Sequence, residues 1–329
     1  MTPAVRTLLL RPGPSLDLDF TAGALTAPVT LARAGAATYF DSAGVLQSAS
    51  TDVARFDYDM TTLVARGLLI EAARTNSIRN NTMVGAVAGT PGTLPTNWFS
   101  TVLDGVARTV VGTGTENGLT YIDMQFSTAT VTSGARSNLA WLSAETSTSA
   151  AAVSGQTWST SWFIKIQAGS AANLTFGMTV SESNSGGTFL AQTNTAIVPT
   201  ATLTRFTTSR TLSQATCAFT NTSILASYGS GVAINITLRL YLPQLEQGAF
   251  ATSVIPTTGA AVTRAADIPT SVDTGWLTSG RGVAALTVHT VAGAGANVTQ
   301  PGNLDNSNPV ASLFTATPSG RYRRIRYWR

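Results

Sequence analysis

Charge is scarce in this chain. Asp, Glu, Lys and Arg make up 11% of its 329 residues, well below the roughly one quarter usual in soluble domains. Ser, Thr, Ala, Gly and Val take their place, as in sheets that carry hydroxyl-bearing β-formers on their solvent faces. A surface so poor in charge fits a subunit covered by its neighbours better than a free enzyme. Cys217 is the only cysteine, which excludes an intrachain disulfide. It lies in an alternating stretch and reads as a small buried residue, not a nucleophile. His289 is equally alone, inside another alternating run, and reads as structural. No stretch of about 18 apolar residues occurs, which argues against a membrane-inserted chain. The opening MTPAVRTLLLRPGPSLDLDF lacks a signal peptide's apolar core, so no export address is expected.

Catalytic signatures are also missing. There is no GxSxG, Walker A loop, HExxH or paired CxxC. Asp57 and Asp59 in RFDYD (55–59) stand at the separation a glycosidase needs between two carboxyls. Any two acids spaced by two on a strand meet that distance, so the structural reading is preferred. No enzyme and no cofactor are expected.

The net charge of +4 comes from one end. The last nine residues, RYRRIRYWR (321–329), hold five Arg and no acid. Without them 15 basic residues face 16 acidic ones, so the body offers no basic face for nucleic acid. The tail mixes Arg with Tyr322, Ile325, Tyr327 and Trp328, a composition able to grip phosphates and stack on bases. The preferred reading is a short arm that docks on an acidic neighbour or stays solvated.

What is present is short alternating runs separated by Gly, Asn, Ser and Pro, the pattern of an all-β protein. LDLDF (16–20) sets Leu16, Leu18 and Phe20 against Asp17 and Asp19. Thr38–Phe40, Asp41–Gly44 and Val45–Gln47 read as strand, turn and strand, with Asp opening and Gly closing the turn. GLLIEAA (67–73) is a buried strand or one helical turn, and seven residues do not decide. A Gly/Pro/Thr-rich stretch at 80–96 marks a first boundary. Strand-like runs follow at 121–126, 157–166, 174–180, 204–212 and 234–242. Trp158, Thr160, Trp162 and Ile164 share one strand face, as do Ile236, Leu238, Leu240 and Leu242. Strands at this spacing without helices between them indicate a sandwich or jelly roll.

Two blocks are more distinctive than the rest: RAGAATYFDSAGVLQSAS (33–50) with RFDYD and RGLLIEAARTN (66–76), and PQLEQGAFATSVIPTTGAAVTRAADIP (243–269). Together they resemble structural proteins of tailed bacterial viruses and gene-transfer particles, of the tail-fibre or head-spike kind. The resemblance implies an all-β fold in three parts. Residues 1–80 form an N-terminal strand and hairpin attachment region, residues 81–266 a jelly-roll-like sandwich similar to carbohydrate-binding modules, and residues 267–329 a short C-terminal β segment with a basic arm. This last part is too short for a complete lectin-like domain. It further implies a virion subunit, a homotrimer, contact with other virion proteins, and weak multivalent attachment to bacterial surface polysaccharide. A purely architectural head-decoration or tail-tip subunit is the alternative, and a capsule depolymerase a remoter one. A structural calcium, as such modules often hold, stays open. Sugar binding by sandwiches uses exposed rings that stack on the pyranose. Trp98, Tyr121 and Trp141 lie near loop-like text and are the candidates, each with a core role as its alternative. Trp158 and Trp162 read as core.

Overall fold

The computed structural model describes residues 16–25, 29–271, 283–290, 295–301 and 320–328. They form an all-β protein in which the 3-10 turn Phe20–Ala22 is the only helical element among the described residues. None of them forms a helix long and apolar enough to cross a membrane. Every strand-like run after residue 120 named above is a strand: Leu119–Thr128, Thr157–Ser170, Leu174–Ser183, Thr204–Thr211 and Ile234–Gln247. Ala107–Glu116, Arg136–Ser143, Phe189–Ile197 and Phe219–Tyr228 are strands that alternation did not single out. They are rich in Thr, Ser, Asn and Gly, so their apolar period is faint although their β propensity is not.

Two five-stranded antiparallel sheets share the main core. The middle sheet runs in the order Thr204–Thr211, Thr157–Ser170, Ile234–Gln247, Leu119–Thr128, Ala107–Glu116. The outer sheet runs Arg136–Ser143, Phe219–Tyr228, Leu174–Ser183, Phe189–Ile197, with Ala150–Ala151 also on Phe219–Tyr228. Between them lie Trp141, Trp158, Trp162, Ile164, Phe126, Phe176, Ile236, Leu238 and Leu240. Thr160 shares this face and is wholly buried. Its hydroxyl donates to Gln244 O at 2.8 Å and accepts from the Thr222 hydroxyl at 2.9 Å, so burial leaves it satisfied.

The middle sheet is also covered on its opposite face, which alternation in one strand cannot show. Phe163 and Tyr241, both fully buried, pack there with Leu119, Leu242 and Val254, and with Phe40, Leu46 and Met60 from the N-terminal region. Leu242 was expected on the face of Ile236, Leu238 and Leu240. It lies on the other side because the ladder slips between Ser161 and Phe163, which pair with Gln244 and Tyr241. That bulge puts Leu242 at φ +38°, ahead of Pro243, and turns its side chain over.

The hairpin around Asp41 is present. Ala37–Phe40 pairs with Leu46–Ala49, Asp41 Oδ1 accepts from Ala43 N and Val45 N, and Gly44 takes φ +72°. The 67–73 run resolves as a strand, Ala65–Ile70. In the run 16–20, Leu18 and Phe20 are each 1% exposed while Asp17 and Asp19 face water.

First and last parts of the chain are interleaved. Val29–Ala32 pairs with Ile268–Ser271, and Arg74–Asn76 with Val262–Arg264. The division at 80 and 266 therefore separates elements that hydrogen-bond to one another. The basic tail is a correction. Gly320–Trp328 is not an arm but a strand, paired with Leu16–Asp19, Ala65–Ile70 and Val283–Thr290. Arg324 meets Asp17 at 2.7 Å and Arg321 meets Asp57, so these two cations are paired within the chain. His289 pairs by backbone with Gly295 and Arg321; its side chain lies outside the described residues.

Candidate functional site

The two distinctive sequence blocks converge on one buried network of charges. Arg55, fully buried, donates from Nη1 to Glu71 Oε2, to Ser253 Oγ and to Thr38 O, each at 2.9 Å. Its Nη2 reaches Asp267 Oδ2 at 2.5 Å. Arg33 binds the other oxygen of Asp267 at 3.0 Å and donates to Ser50 O at 2.6 Å. Glu71 also accepts from Ser253 N at 2.8 Å and Ser253 Oγ at 2.6 Å, and Arg264 stands 3.5 Å away. Burial acts to raise the Glu71 carboxyl, but Arg264, Arg55 and Ser253 outweigh it and hold it at about 2. Burial likewise opposes charge on Arg55, and Glu71 and Asp267 overcome it, raising its pKa.

A second tier is made of amides. Asn76 Nδ2 donates to Ile255 O at 3.0 Å, and Asn81 Nδ2 to Pro243 O and Ile255 O at 3.1 Å. Gln244 Nε2 donates to Ser253 O, and its oxygen accepts from Ile255 N. The Gly/Pro/Thr-rich stretch begins inside this tier and continues outward, where Trp98 Nε1 donates to Asn80 O at 2.7 Å. Charges closed off in this way reach no ligand. Their chemistry is cohesion, since buried ions persist only where paired and hydrogen-bonded.

The aromatic candidates separate. Trp98 is 7% exposed and packs edge-on against Trp162 at 5.5 Å. Trp141 is 1% exposed, stacked on Phe126 at 4.3 Å and edge-on to Phe176 at 6.0 Å. Neither offers a face to a sugar, and both are corrected to core residues. Tyr121 is half-buried, with Arg239 Cζ 3.7 Å above its ring and Tyr241 edge-on at 5.7 Å. Arg239 is itself fixed by Asp123 and Glu116 at 2.7–2.8 Å. Hydrogen bonds from Lys165 and Tyr241 to Glu116, and from Arg239, hold its carboxyl at about 2 against a smaller effect of burial. The guanidinium occupies the Tyr121 face a pyranose would need. Trp158 and Trp162, at 5% and 0% exposure, are core as expected.

The other candidates are structural. Asp57, 2% exposed, accepts from Phe40 N at 3.0 Å and binds Arg321, while Asp59 accepts from Thr61 N and Thr62 N and binds Arg66. A cavity of about 350 Å3 beside them brings Arg66, Arg205 and Arg321 near these two acids. Cys217 is buried, and burial raises its thiol pKa, so it is a poor nucleophile. Among the described residues no group of three or more His, Cys, Asp or Glu could hold a metal ion. Sequence reasoning marked the two blocks but not the roles of Arg33, Arg55, Glu71 and Asp267. The available signal was a set of charges inside otherwise apolar text of a charge-poor chain. No protein-family model matches the chain, and no curated protein matches it significantly.

Proposed function

We propose that the protein is a structural subunit of a tailed bacterial virus or gene-transfer particle, of the fibre or spike kind, made in the host cytoplasm and carried on the virion. One observation carries the reading. The two blocks that resemble such proteins, about 200 residues apart in sequence, fold into a single buried knot around Arg55, Glu71 and Asp267. Residues 1–80 are assigned the attachment to other virion proteins, and the packed pair of sheets the outward role. The working form is a homotrimer, in which weak contacts to bacterial surface polysaccharide add up. A millimolar to micromolar site is worth about 4–8 kcal/mol, and linked copies gain roughly 10²–10⁴-fold. Catalysis is not assigned, because Asp57 and Asp59 are committed to Arg321, Arg66 and backbone amides. Nor is nucleic-acid binding assigned.

The burial of Trp98 and Trp141 favours a second reading, an architectural subunit without a ligand. Antibody labelling of native particles tests the reading common to both: label on tail or head supports it, and absence from purified particles overturns it. Mass measurement of the particle-derived protein tests the trimer. A concentration-independent monomer would remove it.

A further inference from the structure

Among the described residues, Arg74 is a cation without an anion: no carboxylate lies within ion-pair distance of it, and its Nε is buried without a hydrogen-bond partner. The one hydrogen bond its guanidinium makes among the described residues is a long one, 3.4 Å from Nη1 to Ala73 O. The guanidinium lies 5.6 Å from the centre of the Phe250 ring. It also rests against the Gly248 backbone, where a Cβ would come within 2.8 Å of Nη2, and Gly248 has φ +149°. Glycine at 248 is what leaves room for Arg74 in this pose.

Arg74 lines a surface cavity of about 530 Å3 whose other walls are Thr75, Ser77, Thr157, Trp158, Gln247 and Thr263, with no acid among the lining residues. That volume falls within the roughly 300–1,000 Å3 of small-molecule sites. The Ser77 hydroxyl and the Gln247 amide make no side-chain hydrogen bond within the protein among the described residues. Thr75 and Thr263 bond only to each other, at 2.7 Å, and each hydroxyl keeps unused hydrogen-bonding capacity. Both distinctive blocks contribute to the cavity, Ala73, Arg74 and Thr75 from one and Gln247, Gly248 and Thr263 from the other.

We infer that this cavity binds a carboxylate-bearing sugar residue, the carboxylate on Arg74 and the ring hydroxyls on Ser77, Gln247 and the threonines. A planar guanidinium takes a carboxylate through two parallel hydrogen bonds. Neutral groups that both donate and accept match a polyhydroxyl ring. A bare phosphate would call for a second cation or a fan of backbone amides, and the lining has neither. Recognition here runs through hydrogen bonds and one ion pair, with the Trp158 ring supplying an edge and no open stacking face. The inference deepens the attachment reading and rests on it, naming acidic surface polysaccharide as the ligand class.

Calorimetric titration of the full chain with a glucuronate-containing trisaccharide, its neutral glucose counterpart and inorganic phosphate tests the assignment. The acidic sugar is expected to bind with Kd on the order of 1 mM and the neutral one at least tenfold more weakly. Arg74→Gln should weaken acidic-sugar binding at least tenfold. Gln247→Glu, an isosteric change at an exposed position, should do the same by placing an anion beside Arg74. Equal binding of both sugars, no binding of either, or undiminished binding by folded Gln247→Glu protein would overturn it. Phosphate binding as tightly as the acidic sugar would also overturn it, in favour of a simple anion site. Particle labelling reads the attachment assignment independently: a labelled subunit that binds no sugar fails only the ligand, and a binder absent from particles fails the virion reading.

Discussion

Toward the outer sheet, the middle sheet buries Trp162, Ile164, Phe126, Ile236 and Leu238 against Trp141 and Phe176. Toward the N- and C-terminal segments the same sheet presents Phe163 and Tyr241, then Gln244 and Glu246, and beyond them Arg55, Glu71 and Asp267. The first interface is held by apolar area, which is non-directional and tolerates changes of shape that keep volume. The second is held by hydrogen-bonded charges, which tolerate almost no change in either partner. Two faces of one sheet thus separate a generic core from a specific clasp. The clasp is where distant parts of the chain must find the correct partners.

The largest expected effects come from breaking each face in turn. Arg55→Met leaves Glu71 and Asp267 buried without the cation that bonds to both, a loss of about 3–5 kcal/mol. Trp162→Ala opens the apolar side and strips Thr222 Oγ1 of its indole donor at 3.0 Å, again about 3–5 kcal/mol. Denaturant titration measures both. The contrast lies in rescue. Adding Glu71→Gln to Arg55→Met should recover part of the loss, because it removes the stranded charge. No single polar change should rescue Trp162→Ala. If Arg55→Met alone costs less than about 1 kcal/mol, the clasp does not hold the chain together.

Acid distinguishes the two faces more gently. The folded-state pKa of Glu71 is lowered to about 2 from its ordinary value of 4.5. Its contribution is therefore complete above pH 4.5 and lost as pH falls toward about 2. The difference amounts to about 3 kcal/mol. Melting temperature measured between pH 6 and pH 2 should fall through this window in the parent protein. Glu71→Gln should start lower and fall less. A parent protein whose melting temperature stays flat down to pH 2 would mean that Glu71 is not held ionised by the clasp.

What could be read from the sequence follows the same division. The strands of the apolar face announce themselves, because Trp158, Trp162 and Ile164, or Ile236, Leu238 and Leu240, repeat at the period of a strand. The bulge that turns Leu242 away has no such signature beyond the proline that follows it. Strands such as Phe189–Ile197 escaped because their alternating residues are Thr, Asn and Gln. The clasp was visible only as two unusual blocks, since pairing Arg55 with Asp267 is a contact across more than 200 residues that no local period encodes. Trp98 and Trp141 were placed at a domain edge by their flanking loop-like text, and the fold draws both inward. Arg74 was equally hidden, because only the fold reveals that no carboxylate among the described residues pairs with it.

The smallest effect has the opposite sign to the Glu71 one. Glu246 is fully buried and accepts from Thr252 N at 2.8 Å and Thr252 Oγ1 at 2.5 Å, yet no Arg or Lys stands within ion-pair distance among the described residues. Burial raises its folded-state pKa, with Thr252 and Gln244 hydrogen bonds and the more distant Arg205 only partly opposing. A carboxyl raised in the folded state favours folding most when protonated. Its contribution declines as pH climbs from the unfolded value through the folded one, so at neutral pH Glu246 is a burden on the clasp. Glu246→Gln keeps a carbonyl for Thr252 N and places an amide beside a hydroxyl that can also accept. It should therefore stabilise the protein at pH 7–8, by on the order of 1 kcal/mol, and by less at pH 5, where the carboxyl already holds its proton more often. Thermal melts of the two proteins at pH 5 and pH 8 check this. A variant that is less stable than the parent at both values would show that the carboxylate itself is needed, with Arg205 as its working partner.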